Sequence, residues 1–108
     1  MKIDPRKVIS KRRNEEGKME YHVIGVGGWD HFDSLVDFLK KYYEAEVKYL
    51  KDAIFIRKAI FLVGGEEITL IHHDDIGNYF FSSVKENSTV CEKVSQDLEV
   101  RLMGSEYQ

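Results

Sequence analysis

The stretch LIHHDDIGNYFF, Leu70 to Phe81, places His72, His73, Asp74 and Asp75 in succession and follows them with Tyr79, Phe80 and Phe81. Histidine titrates near neutral pH and ligates zinc, and an adjacent carboxylate can orient it, so acid/base or metal chemistry would be sought here first. Strand geometry argues against a shared site. Successive side chains point to opposite faces, so at most one of His72 and His73 faces inward and the two cannot hold one ion together. A zinc or iron centre also needs further ligands, and His22, His31, Cys91 and scattered carboxylates stand at no recognised spacing. A hydrolytic pair drawn from His72 or His73 with Asp74 or Asp75 has no marked nucleophile or second acid. Aspartates at a chain reversal are explained by turn chemistry alone, because their carboxylates accept nearby backbone N–H groups. No catalytic, metal or cofactor residue is therefore assigned. A small hydrolase or metal-dependent enzyme using His72 to Asp75 stands as the alternative reading.

Gly25, Gly27 and Gly28 precede a helical segment, as a phosphate-binding turn would. The dinucleotide fingerprint needs a glycine where Asp30 stands, and that carboxylate would repel a phosphate at the helix N-terminus. The glycines read as a bend, and Trp29 beside it as a staple that packs on the first helical turn. Cys91 lies on an apolar helical stripe, which makes it an inert buried thiol. As the only cysteine, it excludes an intrachain disulfide and a CxxC pair.

The elements that would position these residues follow from periodicity. Arg6 to Arg12 and Lys18 to Val26 alternate around RNEEGK, whose Asn14 and Gly17 suit a hairpin connection. Asp30 is the expected helix cap, followed by Phe32, Leu35, Val36, Leu39, Tyr42 and Tyr43 at helical spacing, with Lys40 and Lys41 late, as the helix dipole prefers. Glu46 to Leu50 and Ala53 to Arg57 read as short β segments, and Ala59 to Val63 as a stronger one. Turns at GGEE and DDIGN bracket a strand over Glu67 to His73, and Tyr79 to Val84 returns as another. Asn87 or Ser88 would cap a last helix with its stripe at Val90, Cys91, Val94, Leu98 and Leu102, stopped by Gly104. The order ββαββββα implies an α+β domain, mostly an antiparallel sheet of about five to six strands with two helices on one face.

At 108 residues with 43% hydrophobic content and 32% charged content, the chain is expected to form a single domain over 1–108. The longest apolar run, Ala59 to Val63, is far short of the roughly 20 residues of a membrane helix, and the N-terminus lacks an apolar signal core. A cytoplasmic, reducing setting is the expectation. The net charge of -3 divides unevenly: residues 1–13 carry 6 - 1 = +5 and the remainder 10 - 18 = -8. Between Lys58 and Lys85 there is no Lys or Arg, while Glu66, Glu67, Asp74 and Asp75 fall there. An acidic region suits a basic partner and disfavours nucleic acid or an anionic membrane. The basic RKVISKRR segment lacks the interleaved aromatics of single-strand binders and reads as a charged edge strand.

The run AIFLVGGEEITLIHHDDIGNYFFSS, the helix after the first hairpin and the closing helix together resemble the small cytoplasmic immunity proteins that bacteria encode beside secreted or contact-delivered toxins. The resemblance covers most of the chain in outline. It implies a protein-binding inhibitor, without enzymatic activity or cofactor, that covers the active or substrate-binding surface of a toxin, often a basic nuclease domain. Acidic side chains would then stand in for nucleic-acid phosphates. On that reading the partner-binding residues are Glu66, Glu67, Asp74, Asp75 and Tyr79, the tyrosine adding apolar area with a polar handle.

Overall fold

The computed structural model describes residues 8–24, 28–83 and 88–106. Two short strands open the chain, β1 (Ile9–Arg13) and β2 (Met19–Val23), followed by helix α1 (Trp29–Tyr43). Four more strands come next: β3 (Glu46–Asp52), β4 (Ile56–Val63), β5 (Glu66–His73) and β6 (Gly77–Ser82). Helix α2 (Thr89–Glu106) closes the described chain. The strands form one six-stranded sheet, fully antiparallel, in the order β1-β2-β6-β5-β4-β3. Element order and class are those the periodicity implied. Among the described residues, no helix is long and apolar enough to cross a membrane.

Several boundaries differ from expectation for identifiable reasons. The segment Ala53 to Arg57 is not a strand of its own, since β4 runs unbroken from Ile56 to Val63. Lys58 does not interrupt it because that side chain lies on the solvent side. The N-cap of α1 is Gly28 and not Asp30; the His31 ring accepts the Gly28 N–H through Nδ1 at 3.1 Å, and Asp30 sits inside the first turn, where its charge favours the dipole. Helix α2 continues through Gly104 to Glu106, since one glycine costs about 1 kcal/mol without breaking a helix. Ser88 does cap it, its Oγ accepting the Cys91 N–H at 3.0 Å. Arg6, Gly25, Gly27, Val84 and Asn87 lie outside the described residues.

Alternation sorts the sheet into two faces. Tyr21, Val23, Ala59, Phe61, Val63, Ile68, Leu70 and Phe80 point toward the helices, and Phe32, Leu35 and Leu39 of α1 with Cys91, Val94 and Leu98 of α2 meet them. Burying each large apolar side chain is worth roughly 1.5–3 kcal/mol, so this layer supplies the main driving force. Polar contacts at its margins fix the helices: Tyr21 donates to Glu92 at 2.6 Å, Lys11 pairs with Glu92 at 2.7 Å, and Tyr43 of α1 donates to Asp97 of α2 at 2.8 Å. The opposite face, with Ile60, Leu62, Thr69, Ile71, Tyr79 and Phe81, is covered by no described element.

The β4–β5 hairpin is closed by Gly64 and Gly65, both left-handed at φ +58° and +84°. Two successive positive φ values define the two-residue reversal whose twist matches the flanking strands, and only glycine adopts both without strain. Gly64→Ala and Gly65→Ala are each expected to destabilise the protein by about 1–2 kcal/mol, the cost of a side chain in the left-handed region. Urea unfolding should show a lower midpoint at unchanged slope; an unchanged midpoint would mean that the turn relaxes to another form.

Candidate functional site

His72 and His73 obey the alternation. His72 is 2% exposed on the helix side, and His73 faces the open side. The His72 ring is fully engaged, with Nδ1 3.1 Å from Asn78 Oδ1 and Nε2 3.0 Å from Asp74 Oδ1. Asn78 in turn donates through Nδ2 to the Gly28 carbonyl at 3.2 Å, joining β6 to the start of α1. Among the described residues, no group of three or more His, Cys, Asp or Glu side chains is placed to hold a metal ion.

Arg57 is the group that sequence reasoning missed. It shares the buried parity of Ala59, Phe61 and Val63, and that parity was the available signal for an arginine turned inward. Its side chain donates from Nη1 to Asp33 Oδ2 and to the Trp29 carbonyl, both at 3.0 Å, and from Nη2 to Asp33 Oδ1 at 2.8 Å. Nε donates to Asp52 Oδ1 at 2.9 Å. The guanidinium also lies between two rings, its carbon 4.7 Å from the Trp29 centroid and 4.6 Å from that of Phe32. Planar stacking with forked hydrogen bonding is specific to arginine. Trp29 is therefore not a staple before the helix. It is the first helical residue, stacked on Arg57, edge-on to His72 at 5.5 Å, and still 39% exposed.

Register places Asp52, Arg57, His72 and Asn78 in one row across β3, β4, β5 and β6. Just beyond the row lie the β3–β4 and β5–β6 turns, bonded to each other through Asp74 N–H to the Phe55 carbonyl at 3.0 Å. This end of the sheet carries an unusual surface. Ile54 is 81% exposed, Phe55 63% and Ile76 54%, and the exposed carboxylates of Asp74 and Asp75 lie on the same β5–β6 turn as Ile76. Apolar anchors inside a charged rim are the anatomy of a protein interface. Sequence reading took Phe55 for a strand residue and so did not mark it; a turn containing adjacent Ile and Phe was the signal.

The five residues expected to bind a partner do not come together. Asp74 and Asp75 belong to this end surface. Glu66 and Glu67 lie at the far end of β5, with Glu67 on the open face. Glu66 faces the helices, where it accepts hydrogen bonds from Ser82 Oγ and Ser88 Oγ, and so ties β5 and β6 to the cap of α2. Tyr79 lies on the open face, stacked between His22 at 4.7 Å and Phe81 at 6.4 Å; burial, then the nearby Glu20 charge, pushes its hydroxyl pKa up. Comparison with models of protein families, with curated proteins and with solved structures finds no match, so the functional reading rests on the geometry and chemistry of the chain.

Two predictions follow from these environments. Hydrogen bonds from Arg57, aided by its charge, hold the Asp33 carboxyl below the ordinary range. A depressed folded-state pKa means that the associated stability is present above the unfolded value and is lost as pH falls through the folded one. The wild-type midpoint in urea should therefore decline below about pH 4, near the ordinary aspartate pKa. Arg57→Gln should remove part of that decline and cost about 2 kcal/mol at neutral pH through lost charge-assisted hydrogen bonds. An acid limb unchanged in Arg57→Gln would refute the pairing. Separately, burial raises the Cys91 thiol pKa to about 12. A thiol-reactive disulfide reagent at mildly alkaline pH should label Cys91 only as fast as the protein opens, and prompt labelling of the native chain would contradict this packing.

Proposed function

We propose that this chain is a protein-binding inhibitor of the immunity type and that its partner docks on the end of the sheet where the β3–β4 and β5–β6 turns meet. The observation that carries the reading is the exposure of Ile54, Phe55 and Ile76 beside Asp74 and Asp75 on adjoining turns. Large apolar side chains left this exposed gain most when another protein covers them. These two carboxylates suit a basic surface, such as the substrate groove of a nuclease domain, by speeding encounter and rejecting partners of like charge. The Arg57 pairs add rigidity, so little side-chain freedom remains to be lost at Trp29 on binding. Inhibition by coverage requires no chemistry from the chain.

The test is recovery of partners from the source cell at low and high salt, followed by titration of the recovered protein with the purified chain. A basic nuclease whose activity is abolished at one equivalent is the expected outcome. Phe55→Ala should weaken that complex at least about 30-fold, as loss of a central anchor of 2 kcal/mol or more would. Replacing Asp74 and Asp75 by Lys should slow association and reduce its salt dependence. A nuclease complex indifferent to all three substitutions would refute this surface, and a partner that is not inhibited would refute the inhibitor reading.

A further inference from the structure

The turn that carries Asp74, Asp75 and Ile76 is held by the two histidines before it, and the two bonds demand opposite protonation states. Asn78 donates through Nδ2 to the Gly28 carbonyl, which can only accept, so its Oδ1 is the atom turned toward His72 Nδ1. Nδ1 must then carry a proton. Nε2 lies 3.0 Å from Asp74 Oδ1, and a carboxylate likewise only accepts. Both bonds are made together only by a ring with two protons. At His73 the sense is reversed: Nδ1 accepts the Asp75 N–H at 3.1 Å, so that nitrogen must be bare.

The two rings have different surroundings. His72 is buried among charged groups from three elements: Arg57 of β4, and Asp33 of α1 and Asp52 of β3 bonded to that guanidinium. Asp74 completes the set, while β6 presents the neutral Asn78 and α1 the edge of Trp29. With His72 neutral the cluster sums to 1 - 3 = -2, and with the second ring proton to 2 - 3 = -1, nearer to neutrality. His73 lies on the open face opposite Ile56 and Gly77, with Lys58 in the next row of β4 and Asp75 on the turn. Asp74 also donates its N–H to the Phe55 carbonyl, so a change at this residue reaches both turns of the exposed end.

We propose that this pair is a two-sided proton switch on the β5–β6 turn, which is fully bonded only while His72 holds both ring protons and His73 holds none at Nδ1. Histidine is the side chain whose charge ordinarily changes between about pH 5 and 8, so both limits fall near neutrality. As pH rises, the Nε2 proton of His72 passes to solvent, two acceptors face each other, and Asp74 is released. As pH falls, His73 Nδ1 takes a proton from solvent, two donors meet, and the Asp75 N–H loses its acceptor. The effect on partner binding rests on the docking surface proposed above, whereas the switch itself belongs to the free chain.

Nuclear magnetic resonance of the free full chain from pH 5 to 8.5 tests it, following the ring nitrogens of both histidines and the backbone amides of Asp74, Asp75 and Ile76. Between two steps, His72 should show two protonated ring nitrogens and His73 a bare Nδ1, and the turn amides should shift at both steps. His73→Gln should abolish the low-pH step and keep the other. Asp74→Asn, which keeps an acceptor but removes the charge, should move the high-pH step down by about one unit, a tenfold loss of proton affinity. Asp75→Asn removes the same charge without touching the His72 ring and should move that step by less than about a third as much. Both aspartates are exposed, so these variants are expected to fold. A His72 ring singly protonated at every pH, a His73 step above that of His72, turn amides indifferent to both rings, or equal responses to Asp74→Asn and Asp75→Asn would each overturn the switch. Affinity for a recovered nuclease should peak between the two steps. Turn amides that follow the rings while no partner binds this end would refute the docking surface and leave the switch standing.

Discussion

A guanidinium turned inward near one end of a sheet must satisfy its fork of N–H groups or the fold does not form around it. Arg57 does so with carboxylates from two different elements, Asp33 on α1 and Asp52 on β3, and with the Trp29 carbonyl at the first turn of the helix. Each partner must therefore be in place for the others to be satisfied. The arrangement fixes where α1 begins over the sheet, how far β3 extends along β4, and which face of Trp29 is covered. An ion pair of this kind adds little net stability over an apolar core, since desolvation offsets most of its attraction. What it supplies is selectivity, because any shift in strand register or helix rotation leaves a buried donor unpaired.

The same row continues through His72 and Asn78 to the Gly28 carbonyl, so polar side chains on three adjacent strands hold the helix N-terminus. At the opposite end of β5, Glu66 plays the corresponding part for α2 through Ser88. Each helix is thus anchored at its start by a charged or polar residue from the sheet, while apolar packing holds its length. Among the described residues, no buried side-chain nitrogen or oxygen lacks a hydrogen-bond partner. Polar groups that look catalytic in sequence are used here to fix architecture, a role that follows from their burial.

With both helices on one side, the molecule has two unlike surfaces left over. The end of the sheet combines projecting apolar side chains with carboxylates, and the face opposite the helices, covered by no described element, combines an apolar centre with charged residues of both signs. Neither requires the other, because turns form the first surface and alternate strand positions form the second.

Periodicity in the sequence was enough to determine the order of elements, the α+β class and the placing of His72 and His73 on opposite faces of a strand; that His72 is the buried one came from the structure. These depend on local rules: the repeat of two in strands, 3.6 in helices, and glycine where φ must be positive. Ser88 as one of two candidate caps and Cys91 as a core thiol were legible on the same grounds. Local rules did not reveal that Glu66 is tied to the cap of α2 and Asp74 to the buried His72, that Arg57 joins three elements, or that Ile54 and Phe55 form an exposed turn. Those outcomes depend on which residues register and helix docking bring opposite one another. Arg57 meets Asp33 across 24 positions and Asn78 meets Gly28 across 50. Contacts at that separation follow from the packing of the whole sheet against α1, and only the tertiary structure decides them.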